Sequence, residues 1–353
     1  MDYVLEGTVR RGGDRVRVSA QLIQVSDQTH LWASNYERGL RDILGVQEEV
    51  AQAIANEVKI NLSPEQQARL VSARPVNPEA HEAYLRGLYE LRKQKPENIE
   101  QAIQYFQQAI ALDPRNALAY AGLADAYYYQ STFIRAPLEV MPKAKAAAAR
   151  AIELDDDLAE AHASFGYVKL NFDWDWPGAE REFRRALELN PNLPRAHTGY
   201  AHYLLTLRRM DEAIQELQRA ETIDPLVPES QVSMPFLLFN ARRYDEAIAA
   251  GRRVKRDWVV ALSYAQLGRR EEAIATADRA LKGAPNPVIR AELASVYALA
   301  GKKDAAGAML SAIEAQAKER YVCGFTVACV YASLGDKEQA FTWLEKAYLA
   351  RSD

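Results

Sequence analysis

Few residues of this chain are spaced to do bond-making chemistry. The candidates are five histidines, two cysteines and a run of three aspartates. A general base must reach a reacting proton, and a metal needs several converging donors. His162 and His197 stand 35 residues apart in equivalent apolar settings. That spacing predicts two structural histidines facing a partner helix. His202 falls on a different helical face, open to ligand contact. Asp155-Asp156-Asp157 reads as a solvated helix-end cluster rather than a cation site. Cys323 and Cys329 lie six residues apart. Six helical steps turn roughly 240°, so the thiols do not meet and read as small core residues. Arg11-Gly12-Gly13 reads as a hairpin turn, not a phosphate cradle. The chain has no phosphate-loop pattern, dinucleotide glycine fingerprint, His-Glu-x-x-His or Cys-x-x-Cys. The expectation is a chain with no catalytic residue, no metal, no cofactor and no enzymatic activity.

The bulk numbers fit a folded binding protein. The 353 residues are 48 % hydrophobic and 26 % charged, with a net charge of −4. Nucleic-acid binding would need a basic stripe, which is absent. No apolar run approaches the ~18 residues of a membrane span. Met1-Asp2-Tyr3 leads into a strand pattern without a secretory signal, so a cytoplasmic compartment is expected. A periplasmic one follows if the chain belongs to a longer membrane-anchored protein.

The elements that must position these residues are helical hairpins. Tyr120, Leu123, Ala124 and Tyr127 give a pattern that recurs at His197, Tyr200, Ala201 and Leu204, followed by Ala213, Leu217, Ala220 and Pro225. Pro191 and Pro225 are 34 residues apart, the tetratricopeptide period. Small residues let paired helices approach, and each pair leaves an apolar face for the next to cover. From about residue 80 to the end the pattern predicts a right-handed α-solenoid of about eight hairpins. An insertion, Ser131 to Pro142, is expected inside the second. Pro225 and Pro285 are only 60 residues apart. Two regular units would take about 68. Either a distorted junction near Arg252 or a missing loop accounts for the shortfall.

Residues 1–60 read as a small α/β module. A strand from Tyr3, a second with Val16, Val18, Ala20 and Leu22 alternating with polar residues, and a third with Trp32 and Tyr36 form a meander. A helix follows, with Leu40, Ile43, Leu44, Val50, Ile54 and Val58 on one face. Ser63-Pro64-Glu65 opens a short helix, and Arg74 to Pro78 is a linker; residues 61–79 thus separate the module from the repeats at 80–353.

The strand phrases Tyr3-Val4-Leu5-Glu6-Gly7-Thr8-Val9-Arg10, Arg15 to Leu22 and His30-Leu31-Trp32-Ala33 resemble part of the TolB-like amino-terminal domain of bacterial signalling proteins. So do Asp173-Trp174-Asp175-Trp176 and Tyr331 to Lys337 within the repeats. In that family the domain precedes tetratricopeptide repeats, and a winged-helix, class III nucleotide cyclase or serine/threonine kinase domain lies upstream. The resemblance implies a sensory or regulatory part of such a protein. No residue here matches the catalytic motifs of those effector domains.

In solenoids of this kind the first helix of each pair lines the concave face. The corresponding positions here are Tyr89, Asp125, Tyr128, Tyr129, Tyr167, His202, Phe236, Phe239 and Trp258. This face is aromatic, and it lacks the Lys/Asn set that grips a terminal carboxylate in chaperone-binding relatives. Aromatic clusters favour burial against a partner. The alternative is that a tight curl buries the rings against one another. The expected function is binding of a peptide or protein segment in the groove. The expected alternative is a homodimer made through the β module, whose open edges seek a partner.

Overall fold

The computed structural model describes residues 3–13, 15–39, 43–57, 77–225, 228–283, 286–317 and 321–352. The chain divides into two compact units, Met1–Ala83 with Ala111–Asp113, and Tyr84–Ile110 with Pro114–Asp353. The helix expected at Ser63, most of the linker from Arg74, Leu40, Val58 and Pro285 lie outside the described residues.

The first unit holds a three-stranded antiparallel sheet, β1 (Tyr3–Gly12), β2 (Arg15–Gln24) and β3 (His30–Gly39), in that spatial order. Leu5, Gly7 and Val9 pair with Leu22, Ala20 and Val18, so they share one face. Trp32 and Tyr36 join it opposite Leu22 and Val18. Helix α1 (Ile43–Glu57) packs on β2 and β3, with Val46 buried beneath it. Arg38 of β3 reaches Glu49 of α1 at 3.2 Å.

Sixteen helices follow among the described residues, arranged as eight hairpins. They are Pro78–Leu91 with Pro96–Leu112 (α2, α3), Ala117–Phe133 with Pro137–Leu154 (α4, α5), and Ala159–Val168 with Trp176–Leu189 (α6, α7). Next come Pro194–Thr206 with Met210–Ile223 (α8, α9) and Pro228–Asn240 with Tyr244–Arg253 (α10, α11). Asp257–Gln266 with Arg270–Leu281 (α12, α13), Pro287–Leu299 with Lys303–Ala317 (α14, α15) and Gly324–Leu334 with Lys337–Ala350 (α16, α17) complete the set. Side chains of Asn116, Asp175, Asn286 and Asp336 cap helix N-termini by accepting backbone N–H groups. Pro78, placed in the linker by sequence, instead starts α2, behind Asn77, whose Oδ1 accepts from Glu79 N at 3.0 Å.

The helices pack through alanine and a repeated phenylalanine slot. Ala102, Ala144, Ala179, Ala213, Ala247, Ala273 and Ala306 are all fully buried. Phe106 is seated against Gly87 of its own hairpin and Gly122 of the next. Phe183 repeats the device between Gly166 and Gly199. A Cβ at Gly166 would come 2.7 Å from the Phe183 ring, so only glycine leaves the ring its place.

Three local features differ from the sequence reading. The insertion expected from Ser131 to Pro142 is absorbed into helix: α4 runs to Phe133 and α5 starts at Pro137, leaving three residues between them. The end of α6 widens into a π-helical turn, Lys169–Asp173, closed by Trp174 at φ 56°. The short junction near Arg252 is a tight turn. There α11 and α12 are ten residues each, joined by a turn with Lys255 at φ 57° and Arg256 N bonded to Gly251 O. The same bond closes the turns inside hairpins at Arg243 to Leu238 and Arg269 to Tyr264. The chain therefore joins two hairpins with the turn it otherwise uses within one.

Candidate functional site

The first helices of successive hairpins touch one another. Contacts run from α4 to α6, α6 to α8, α8 to α10, α10 to α12, α12 to α14 and α14 to α16. These first helices thus form one continuous inner row, and eight of the nine sequence-derived positions fall on it, Tyr89 being on α2.

At the centre of the row stands Arg195, which the sequence reading did not select. Its guanidinium lies 4.3 Å from the centre of the Tyr167 ring and bonds Asp125 Oδ1 at 2.8 Å. It also donates to the Tyr129 hydroxyl at 3.2 Å and faces the Tyr128 ring. The Tyr128 and Tyr167 rings stand 5.0 Å apart, and His202 meets Tyr167 edge-on at 6.2 Å. His202 Nε2 lies 3.2 Å from the Ser233 hydroxyl. Arginine over stacked rings with a carboxylate is a charge-satisfied arrangement.

Burial divides the nine expected residues. Tyr167 has no exposed surface and Tyr129 is 9 % exposed, so these two rings pack inside the row rather than on it. The inner helices approach closely enough to enclose them, against Phe183 in the case of Tyr167. Asp125 is committed to Arg195, and Tyr128 and His202 are half-buried beside it. Farther along, Phe236 is 39 % exposed, with Trp258 6.1 Å away on the next first helix. Phe239 packs partly into the core and meets Tyr244 at 5.7 Å. Tyr89 is 65 % exposed, with Lys93 over its ring at 4.2 Å, and no ring contact or hydrogen bond joins it to the other eight among the described residues. Two parts emerge: a buried tyrosine–arginine knot, and an aromatic patch at Phe236 and Trp258.

His162 and His197 are structural, as their spacing suggests. His162 Nδ1 lies 2.8 Å from Glu182 and His197 Nδ1 lies 2.6 Å from Glu216, on the second helix of each hairpin. Of the aspartate run, Asp157 bonds Arg185 at 2.8 Å, and Asp155 accepts from the Asp157 backbone. No group of three metal-ligating side chains occurs among the described residues. Cys323 is buried; burial first, then Glu292, pushes the Cys329 thiol up to about 12. Burial likewise pushes the Glu292 carboxyl, on α14, up to about 7. No sequence signal marked Glu292, since an isolated glutamate in a helix looks like a solvent-facing one.

A cleft of about 870 Å³ lies elsewhere, between Ile134 to Glu139 and a wall of Val288, Val322, Trp343 and Lys346. The last helix also reaches back to the third hairpin. Arg351 lies 4.0 Å from the Trp174 ring centre and donates to the Phe172 carbonyl at 3.4 Å, and Tyr348 meets Trp174 at 5.1 Å.

Three stretches match family profiles: residues 96–131 as "TPR repeat", and 175–228 and 325–353 as "Tetratricopeptide repeat". These three stretches are tetratricopeptide repeats. The repeat chain is 31 % identical over 220 residues to putative adenylate cyclase 3 of Rhizobium meliloti (strain 1021). That match takes in 60 % of this chain and 30 % of the relative. The fold is like that of yeast Tom70, at 15 % identity and TM-score 0.48 over 78 % of this chain and 61 % of that one. It is also like PilW, a type IV pilus biogenesis factor, at 16 % identity and TM-score 0.40 over 68 % and 94 %. No helix among the described residues is long and apolar enough to cross a membrane.

Proposed function

We propose that this chain is a non-catalytic interaction module that holds a peptide or protein segment along the inner row of its repeats. The observation that carries this reading is the Phe236–Trp258 patch. Two large rings from successive first helices stand side by side and stay partly open to solvent, Phe236 at 39 % exposure and Trp258 half-buried beside it. Rigid rings give large contact area with few rotors to freeze, so a few can dominate an interface. The Arg195 knot beside them holds the helices in fixed register and so preorganises the patch. His202 and Phe239 lie beside it, and Tyr128, at the Arg195 knot, adds a further aromatic contact; Asp125, Tyr129 and Tyr167 act through Arg195 rather than by touching the ligand. Tyr89 belongs to a separate contact.

The likeness to a putative adenylate cyclase supports a regulatory role in bacterial signalling, with this chain as the ligand-sensing part and the output chemistry elsewhere. The TolB-like reading of residues 1–60 fits the same setting, in the cytoplasm. The test is position-specific photo-crosslinking in the full chain. A crosslinker at Phe236 should capture a partner that one on the outer face, at Arg219, does not. Equal capture from both positions argues against the inner row.

A further inference from the structure

We propose that Trp174, Tyr348 and Arg351 form a clasp that closes the repeats on themselves and opens reversibly while the hairpins on both sides stay folded. Arg351 donates to the carbonyl of Phe172, which lies 179 residues earlier in the chain. Both central residues hold a left-handed backbone, Trp174 at φ 56° and Arg351 at φ 54°. Glycine is the usual residue at such helix ends. Here each position carries a long side chain, and the two meet, with the guanidinium 4.0 Å from the ring centre. Each is locked from behind. Asp175 N bonds Lys169 O at 3.0 Å to close the turn that carries Trp174, and Ser352 N bonds Ala347 O at 2.9 Å to close the one that carries Arg351. Backbone of this kind is costly to hold and collects where a contact or a switch depends on it.

Three observations make the contact a clasp rather than core. It is shallow: Tyr348 is 63 % exposed, and Phe341 and Leu349 on the same helix are more so. It is made of a cation over a ring, a ring pair at 5.1 Å and one hydrogen bond at 3.4 Å, each modest alone. Its residues also stand outside the apolar cores on either side. Tyr167, Ala179 and Phe183 anchor the third hairpin, and Ala291, Leu310, Val327 and Val330 anchor the last two. Parting the clasp breaks into neither core, and local openings of that kind take far less free energy than unfolding. The consequence falls on α17. Its Trp343 and Lys346 line the 870 Å³ cleft facing Ile134 to Glu139, and Tyr348 follows on the same helix. The clasp therefore fixes one wall of that cleft, and its opening frees the wall.

The experiment measures the distance between the third and last hairpins with paired spin labels on the full chain, at Arg181→Cys on α7 and Glu345→Cys on α17. Both positions are exposed. The native thiols, one buried and one half-buried, are replaced by Cys323→Ala and Cys329→Ala so that only the new ones react. One dominant distance is expected, with a longer one at about 1–10 %. Arg351→Gly deletes the guanidinium and suits the left-handed backbone, so it opens the clasp without adding strain. It should raise the longer population about five- to tenfold, and Trp174→Ala should do the same. The two together should do little more than Trp174→Ala alone, because they remove one shared contact. Phe341→Ala, on the same helix outside the clasp, should leave the distances unchanged. Helical circular dichroism should match the parent throughout. Distances indifferent to both Arg351→Gly and Trp174→Ala overturn the proposal. So does lengthening that comes only with lost helical signal, which would make the contact part of the fold. No inner-row ligand is present, so failure here and failure of the inner-row reading are separate results.

Discussion

His197 sits between two acceptors: the Glu216 carboxylate 2.6 Å from Nδ1 and the Pro191 carbonyl 2.9 Å from Nε2. His162 repeats the arrangement one hairpin earlier, with Glu182 at 2.8 Å and the Asp156 carbonyl at 2.9 Å. Two acceptors call for two N–H donors, so each ring is favoured as the imidazolium. Burial pulls each pKa down, but the carboxylate and carbonyl bonds outweigh it and the net shift is upward. A raised histidine contributes stability that is full below its unfolded value of about 6.5 and fades as pH rises through the folded value. Glu182 works at the other end. Burial raises it, yet the His162 bond and charge hold it below the usual range, so its contribution is lost only as pH falls through that lowered value. Urea titrations from pH 5 to 9 should show stability falling as the histidines deprotonate. His197→Gln should cost about 1–3 kcal/mol at pH 6 and flatten that fall.

Glu292 slopes the same way for a different reason. A carboxyl raised to about 7 by burial binds its proton in the folded state more tightly than in the unfolded one. Stability is therefore lost from about pH 4.5 up to about 7 and is level beyond. Glu292→Gln removes the titration. It should stabilise the chain by about 1–3 kcal/mol at pH 8 and change little at pH 4.5.

The phenylalanine slots predict a strong effect from the smallest side-chain addition. Gly199→Ala drives a methyl into the Phe183 and Tyr167 rings, which sit in a fully buried core. Overpacking of this kind costs about 1–3 kcal/mol, read as a lower urea midpoint with unchanged slope. Tyr167→Ala empties the same site and should cost about 3–5 kcal/mol.

Lys255 predicts the opposite sign. It holds a left-handed backbone that Gly268, Gly301 and Gly335 adopt at the corresponding turns. Lys255→Gly should stabilise by about 0.5–1 kcal/mol, the steric relief exceeding the added chain entropy. Gly335→Ala should destabilise by a similar amount in the same assay.

The solenoid was legible because its cause is local and repeated. Ala179, Ala213 and Tyr200 recur at fixed offsets, and stacking needs those sizes there. The sheet was legible because Val16, Ala20 and Leu22 alternate with polar residues. The extent of α5 was not, since Pro142 signals a helix start while α5 already begins at Pro137. The π-helical turn at Lys169–Asp173 left no trace either, because its mark is a backbone bond, Asp175 N to Lys169 O, that no side-chain pattern announces. In the candidate site, spacing placed the residues on first helices of the hairpins but gave no measure of their depth. Tyr167 and Phe236 occupy similar positions, yet one is enclosed by Phe183 and Arg195 and the other is open. Arg195 went unnoticed because its partners Asp125 and Tyr129 lie 70 and 66 residues away in the chain.

The central claim is that the inner row, at Phe236 and Trp258, is where a partner docks. The direct test pairs melting with partner binding for the Phe236→Ala/Trp258→Ala double variant, using the protein captured by the Phe236 crosslinker as ligand. The account predicts at least about a thirtyfold loss of affinity with the melting temperature nearly unchanged. Unchanged affinity, with melting lowered by several degrees, would show that these rings are core and that the partner binds elsewhere.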